Sequence, residues 1–234
     1  MTKNLTPADI RWENDTPVSE VFGDVYFSKD NGLAESRYVF LENNFLPERW
    51  QSFEGREFTI LETGFGTGLN FMVTWLLWQQ KAPTNLRLHY ISIEKFPLHR
   101  DSIAKALSFW PEIKDLADEF LNKYPELSVG SHEINLVNDR IKLTLMFGDV
   151  AEVMHEVDAQ VDCWFLDGFA PSKNPDMWQD NLYQNMARLT NSGGTFATFT
   201  AAGFVKRGIE SAGFLVAKVR GFGRKRDMLR GHKL

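Results

Sequence analysis

The sequence has few of the features that stabilise exported or membrane-bound proteins. Among its 234 residues only Cys163 is a cysteine, so an internal disulfide is impossible, and no Cys/His cluster has the spacing of zinc ligands. The first ten residues contain no apolar core of signal-peptide length, and the longest apolar run, residues 69–78, is too short to cross a bilayer. We therefore expect a protein of the reducing cytoplasm with no membrane association.

An excess of positive charge is also missing. The net charge is −5, which argues against a protein that coats nucleic acid without specificity. Hydrophobic residues make up 43% and charged residues 24%, as expected of one globular domain, with or without a small appendage. The segment 218–234 differs, because it holds seven Lys or Arg against Asp227 alone. Two interpretations of it stay open: a solvated strand or tail, and a patch that contacts phosphates.

From residue 58 onward, strand-like and helix-like segments alternate. Strands are predicted at 58–62, 86–94, 140–147, 161–167 and 195–200, with further strands near the C-terminus. Helices are predicted at 68–80, 97–107, 111–124, 178–189 and 202–211. Residues 125–138 are predicted to be a polar, loop-rich insertion. This alternation favours a mostly parallel sheet with helices on both faces.

The first 57 residues do not follow the alternation. They contain short aromatic, strand-like pieces at 18–22 and 24–27, a turn at 30–32 and a helix at 33–41. We predict that residues 1–57 form an N-terminal extension, part of it a hairpin over the site, packed on a core of residues 58–234.

The most informative motif joins the first predicted strand of this core to its first helix. It reads Glu62-Thr-Gly-Phe-Gly-Thr-Gly68, and its alternate glycines allow a sharp turn and let a ligand approach the backbone. Leu69 stands where a dinucleotide fingerprint needs Gly or Ala, and no Lys-Ser/Thr pair follows as in a P-loop. The pattern resembles instead the first motif of S-adenosylmethionine-dependent methyltransferases.

Acidic residues follow the next three predicted strands. Glu94 can accept the two hydrogen bonds of a ribose diol, or it is a solvated strand-end charge. Asp149 can lie near an adenine amine, or it caps the helix that follows. Asp167 can position an amine for methyl transfer, or it is a turn former in the Asp-Gly pair. The stiff loop after Asp167, with Pro171 and Pro175, favours the functional interpretation.

Longer matches carry a closer resemblance. They are the segments 24–33, 37–41, 64–71, 94–98, 164–171, 173–178, 197–200 and 221–229. Over almost its whole length the chain is similar to the methyltransferase domain of the bifunctional enzyme that completes 5-methylaminomethyl-2-thiouridine at the tRNA wobble position. The resemblance implies a Rossmann-like class I methyltransferase fold with a mostly parallel, seven-stranded sheet. It also implies methyl transfer from S-adenosylmethionine to the amine of 5-aminomethyl-2-thiouridine at U34 of tRNA. FAD is implied only where an oxidase domain is fused to the chain.

The resemblance also implies the site. Residues expected to bind the methyl donor are Glu62, Gly64, Phe65, Gly66, Gly68, Asn70, Glu94, Lys95 and Asp149. Asp167 is expected to orient the amine, with solvent as the final proton acceptor. Residues expected on the tRNA side are Phe169 and Trp178, which stack on the extruded base, and Lys173, Arg224, Lys225 and Arg226, which meet phosphates. For Trp178, core packing is an equal alternative.

Two other functions stay open at this point. The first is a methyltransferase of the same fold that acts on another amine, in a protein side chain or a small molecule. The second is a non-catalytic module that holds a nucleotide at the glycine turn and RNA at the basic C-terminal segment.

Overall fold

An eight-stranded sheet lies at the centre of the computed structural model, which describes residues 5–27 and 31–234. A separate two-stranded hairpin precedes it. The strands are β1 (Ile10–Glu13), β2 (Thr16–Ser19), β3 (Glu57–Thr63), β4 (Arg87–Glu94), β5 (Gly130–Leu136), β6 (Ile141–Phe147), β7 (Val161–Leu166), β8 (Thr190–Thr198), β9 (Phe214–Arg220) and β10 (Asp227–Lys233).

Helices connect most of these strands. They are α1 (Gly32–Ser36), α2 (Leu46–Gln51), α3 (Leu69–Lys81), α4 (Arg100–Leu107), α5 (Lys114–Leu121), α6 (Val150–Val153), α7 (Asp180–Leu189) and α8 (Gly203–Ser211). A π-helical turn, Arg37–Leu41, continues α1, and short 3-10 turns occur at Glu42–Asn44, Pro111–Ile113, Met154–Glu156 and Pro175–Trp178. In the described part of the chain, every helix falls short of the length and apolarity that a membrane span requires.

The order of strands across the sheet is β5-β6-β4-β3-β7-β8-β10-β9. The five strands from β6 to β8 are parallel, while β5 runs antiparallel to β6, and β10 runs antiparallel to both β8 and β9. The predicted mostly parallel, Rossmann-like sheet is confirmed. The C-terminal segment that carries the basic excess is largely a pair of strands in this sheet rather than a tail.

The predicted count of seven strands falls one short of the sheet that is observed. The additional strand is β5, which lies within the segment 125–138 that the sequence predicted as a loop. Its polar residues face solvent at the sheet edge and only Ile134 and Leu136 are buried, so its composition is that of a loop. Pairing of all seven residues with β6 makes the segment a strand.

Helices cover both faces of the sheet, as predicted. On one face α1 to α5 enclose a core rich in aromatic residues, with Trp50, Trp75 and Phe120 fully buried. On the other face α6 to α8 pack on a second core around Trp164 and Met186. Because the central strands are buried from both sides, their carboxyl ends are held in fixed positions relative to one another.

The N-terminal residues reach these carboxyl ends through a loop. The strand predicted at 18–22 ends at Ser19, because the chain turns back there. The N–H of Gly23 (φ +57°) donates to the Ser19 carbonyl at 2.9 Å. Residues 20–27 therefore form a loop, tied to the hairpin by the isolated bridge between Val18 and Val25. Asp30, in the predicted turn at 30–32, lies outside the described residues. The division of the chain between residues 57 and 58 stays a prediction.

Candidate active site

The glycine motif forms the link between β3 and α3. Gly64, Gly66 and Gly68 have φ values of +84°, +51° and +77°, a backbone region that L-residues rarely adopt. A Cβ at Gly64 would lie 3.2 Å from the Cα of Gly168, and one at Gly68 would lie 2.8 Å from the ring of Phe65. Glycine is thus required for the turn itself, and at Gly64 also because the turn lies close to the loop after β7.

A cleft opens at this edge of the sheet, over the carboxyl ends of β3, β4, β6 and β7. It holds about 890 Å³ of atom-free space, counted out to open solvent. From the N-terminal loop, Phe22, Val25 and Tyr26 form one wall. The predicted site residues that the structure brings together along the cleft are Gly64, Phe65, Gly66, Asn70, Glu94, Lys95, Asp149, Asp167 and Phe169.

Glu94 connects the end of β4 to the glycine loop. One carboxylate oxygen, Oε2, accepts the N–H of Gly66 at 2.9 Å, and Oε1 accepts the N–H of Phe96 at 2.7 Å. Burial raises the pKa of Glu94, while these backbone bonds oppose the shift. A carboxylate offers about four acceptor positions, so Glu94 keeps capacity for a hydroxyl of a ligand that lies in the cleft.

Lys95 and Asp149 form an ion pair at the wall of the cleft. The Nζ of Lys95 lies 2.7 Å from Oδ2 of Asp149. The other oxygen, Oδ1, accepts the N–H of Ala151 at 2.9 Å and caps α6. Asp149 therefore caps the helix and lines the cleft at the same time, so the two interpretations of this residue are compatible.

Asp167 lies in a hydrogen-bond network centred on Asn70. The Nδ2 of Asn70 donates to Oδ2 of Asp167 at 2.7 Å and to Oε1 of Glu62 at 2.9 Å. The hydroxyl of Ser36 donates to Oδ1 of Asn70 at 2.6 Å and so fixes which end of the amide faces the carboxylates. The N–H of Gly168 completes the network by donating to Oδ1 of Asp167 at 2.8 Å.

The two carboxyl groups of this network differ in charge at neutral pH. Burial and then the charge of Asp167 raise the pKa of Glu62 to about 8, although bonds from Ser92 and Asn70 oppose the shift. Burial raises the pKa of Asp167 to about 6, against the bonds from Gly168 and Asn70. Glu62 therefore retains its proton and Asp167 carries the negative charge, a division typical of acid–base sites.

Apart from the four cations predicted on the tRNA side, three of the predicted site residues do not line the cleft. Glu62 is fully buried behind the loop, where it accepts hydrogen bonds from Asn70 and Ser92. Gly68 is the N-cap of α3. Trp178 is only 3% exposed and packs edge-on against Phe199, with ring centroids 6.5 Å apart. Its ring is closed off from a base, so the core-packing alternative holds for Trp178.

The predicted cations lie around the cleft rather than inside it. Lys173 donates to the carbonyl of Gly23 at 2.7 Å and pairs with Asp24 at 3.2 Å, which ties the N-terminal loop to the loop after β7. Arg224, Lys225 and Arg226 are exposed on the connection between β9 and β10. Lys173 therefore joins two loops, whereas Arg224, Lys225 and Arg226 lie at the surface.

Sequence reasoning missed an aromatic cluster at the cleft, between the N-terminal loop and the loop after β7. The ring of Phe22 stacks on Phe169, with centroids 4.6 Å apart and planes 28° apart. Tyr26 meets Phe169 edge-on at 5.2 Å, and Phe96 meets Phe22 edge-on at 5.9 Å. The aromatic content of residues 18–27 was visible in the sequence, but no local spacing indicates that these rings reach the end of β7. Ser36 was missed for the same reason.

Comparisons with known proteins agree with this geometry. A family model described as S-adenosyl-L-methionine-dependent methyltransferase matches residues 111–234, which include Asp167 and the basic connection. The crystal structure of MNMC2 from Aquifex aeolicus superimposes with a TM-score of 0.75 at 24% identity, and the match covers 99% of this chain and 72% of that one. This likeness supports the fold.

Two curated relatives are more similar in sequence. The tRNA 5-methylaminomethyl-2-thiouridine biosynthesis bifunctional protein of Methylobacillus flagellatus is 50% identical over 227 residues, which cover 97% of this chain and 35% of that protein. The protein of the same name from Hydrogenovibrio crunogenus is 52% identical over 229 residues, covering 97% and 34%. The chain thus spans about a third of the length of the curated relatives that it matches.

Proposed function

Because the chain belongs to the S-adenosyl-L-methionine-dependent methyltransferases, we propose that it methylates the amine of 5-aminomethyl-2-thiouridine at U34 of tRNA. The relatives' name specifies biosynthesis of 5-methylaminomethyl-2-thiouridine in tRNA. Adding one methyl group to an aminomethyl group gives that product. The observation that carries the proposal is the carboxyl group of Asp167, held by Asn70 and Gly168 in the cleft beside the glycine loop.

The residues of the cleft fit the donor. Backbone, polar and aromatic groups from several segments line it together, as in other small-molecule sites. At Gly66 a Cβ would approach the ring of Tyr26 to 3.1 Å, so glycine keeps open the space between the loop and its cover. Glu94 can receive the ribose hydroxyls and Asp149 the adenine amine. When bound, S-adenosylmethionine supplies a methyl group attached to a positively charged sulfur.

Asp167 prepares the amine for attack. An alkyl amine has a pKa of about 10, as lysine does, and is mostly protonated at neutral pH. The Asp167 carboxylate attracts this ammonium group and accepts a hydrogen bond from it. A proton then leaves toward Asp167 or solvent and frees the lone pair. Because the pKa of Asp167 is raised to about 6, the group is a stronger base than an ordinary aspartate and is still ionised at neutral pH.

The acceptor side supplies surfaces for the base. Phe169 lies two residues after Asp167 and lines the cleft, with one face covered by Phe22. Stacking of a base on an aromatic ring contributes about 1–3 kcal/mol. Holding amine and methyl group at attack distance adds up to roughly 7–11 kcal/mol in favourable model systems.

The relatives also bear on a second domain and on where the reaction occurs. The relatives are named bifunctional and are about three times as long as the matched region. We assign methyl transfer to the residues described here and FAD to an oxidase domain, where one is fused to the chain. The reaction is proposed to occur in the cytoplasm, with tRNA as the partner.

Nucleoside analysis tests this function. The protein is incubated with methyl-labelled S-adenosylmethionine and tRNA from cells that accumulate the aminomethyl intermediate, and the digested nucleosides are analysed by mass spectrometry. We expect label in 5-methylaminomethyl-2-thiouridine alone. Donor turnover without label in tRNA would indicate a different amine. Donor binding without turnover would indicate a non-catalytic module.

A further inference from the structure

A second groove opens beside the donor cleft. Residues 170–172, 199–202, Phe204 and 225–227 line it, and it holds about 980 Å³ of atom-free space, counted out to solvent. We call it the side groove. The residues that line it come from three separate segments: the loop after β7, the start of α8 and the connection between β9 and β10.

The side groove adjoins the reacting site along the loop after β7. Its first lining residue, Ala170, follows Asp167 by three positions on the same loop. Lys225, at its other wall, pairs with Glu35 at 2.7 Å. The charges of both residues act on Asp167, since Lys225 lowers and Glu35 raises the pKa of that carboxyl. A molecule whose reacting group lies at Asp167 can therefore extend into the side groove.

The lining combines apolar and aromatic surface with positive charge. Phe204 lies in the first turn of α8 and is 44% exposed, so its ring is accessible to a ligand in the groove. The Nζ of Lys225 lies 5.1 Å above the ring of Phe199, and Arg226 is exposed next to it. The acidic residue of the groove, Asp227, pairs with Lys218 at 3.4 Å. Aromatic rings beside cations are the combination that binds single-stranded nucleic acid.

We propose that the side groove binds the nucleotide adjacent to the methylated uridine, with its base on Phe204 and its phosphate at Lys225 and Arg226. The inference rests on the proposed function and extends it from the reacting base to its neighbour. A polyanion fits better than a protein segment, because two exposed cations, Lys225 and Arg226, line the groove together with the exposed ring of Phe204. The groove thus makes a free nucleoside a poorer substrate than the same base in an RNA loop.

A comparison of two substrates tests this assignment. One is an anticodon stem–loop that carries 5-aminomethyl-2-thiouridine, and the other is the free nucleoside. In Phe204→Ala, kcat/KM should fall about 10-fold for the stem–loop, within the range expected for the loss of one stacked base. It should not change for the nucleoside, which has no neighbouring base. Arg226→Gln should lower the slope of log affinity against log salt by about one for the stem–loop.

The matched control is Leu215→Ala. Leu215 is an apolar residue of similar exposure, 51%, on β9 and outside the side groove. This variant should leave kcat/KM unchanged for both substrates.

Three results would overturn the assignment. If Phe204→Ala has the same kcat/KM on the stem–loop as the wild-type protein, the groove does not hold RNA. The groove would then be a protein-binding surface, and the proposed function would stand. An equal loss on both substrates would show that Phe204 supports the reacting site instead. A wild-type chain that methylates neither substrate would refute the proposed function, and the groove assignment with it.

Discussion

The donor side and the acceptor side of the cleft are constructed differently. The donor side is mainly a strand–loop–helix unit, residues 57–81, with the ends of the neighbouring strands β4 and β6. The acceptor side combines the N-terminal loop 20–27, α1, the loop after β7 and the connection between β9 and β10. One side is determined by local backbone geometry, and the other by contacts between segments that are far apart in the chain.

The two sides of the cleft therefore depend on different physical properties. On the donor side, three glycines with positive φ decide whether a ligand reaches the backbone. On the acceptor side, burial raises the pKa of Asp167, hydrogen bonds from Gly168 and Asn70 lower it, and the charges of Glu35 and Lys225 have smaller, opposite effects. We therefore expect donor affinity and methyl transfer to be separable by mutation.

The largest expected effect is on donor binding. Gly66→Val places a β-branched residue at φ +51° and a Cβ 3.1 Å from the ring of Tyr26, so the loop must move. Donor affinity measured by calorimetry should fall by about 100-fold or more, with circular dichroism unchanged. Gly213→Val is the control, because Gly213 has φ +87° and open space around it. Unchanged affinity in Gly66→Val would remove the glycine loop from the donor site.

The next effect concerns the network around Asp167. Asn70→Ala removes the hydrogen bond that favours the charged form of Asp167, so the pKa of Asp167 should rise above about 6. Turnover at neutral pH should fall by about 10-fold, and the acidic limb of the rate profile should move to higher pH. Ser36→Ala, which removes only the bond that orients the amide, should have a smaller effect. Normal turnover with weakened donor binding would make Asn70 a donor ligand instead.

A smaller effect is expected at the basic connection. Replacing Arg224, Lys225 and Arg226 together by glutamine should weaken tRNA binding several-fold and lower its salt slope by about one for each lost phosphate contact. Donor affinity should stay the same. The control Lys114→Gln removes an exposed cation on α5. If the triple variant keeps the wild-type salt slope, the solvated-surface interpretation of these residues is correct.

The smallest effect is expected where the N-terminal loop is attached. Lys173→Met removes a surface ion pair with Asp24 and a bond to Gly23, and exposed pairs contribute only about 0–1 kcal/mol. Donor dissociation, followed by stopped flow, should become about twofold faster as the loop opens more often. Lys206→Met, which removes the pair with Glu210 on α8, should not change it. If the donor dissociates from Lys173→Met no faster than from Lys206→Met, the loop does not cover the donor.

The donor side was predictable from the sequence because its signals are local. The alternate glycines, the apolar helix after them and the acidic residue that ends the next strand lie within 33 residues, from Glu62 to Glu94. Strand and helix periodicity also predicted the parallel part of the sheet, since buried strands are continuous apolar runs. The roles of the individual residues in binding stay predictions.

The acceptor side was predictable only in part, because its contacts span the chain. Lys173 and Gly23 are 150 positions apart, and no pattern in either segment indicates that they meet. The edge strand β5 was missed since its polar residues gave no strand signal before pairing. For Trp178, stacking on a base and core packing were equal alternatives, and its burial favours the core. In each case a contact with another segment of the chain outweighed local chemistry.

Single-turnover methyl transfer by Asp167→Asn, at saturating donor and over a range of pH, tests the central claim most directly. Asparagine keeps the shape of Asp167 but removes the charge that attracts a proton from the amine. We expect the wild-type rate to rise as pH passes about 6, the pKa of Asp167. The variant should bind the donor normally, transfer methyl about 100-fold or more slowly at neutral pH, and recover partly in alkali, where solvent deprotonates the amine. Near-normal transfer by the variant at neutral pH would contradict the account and leave Asp167 as a turn residue.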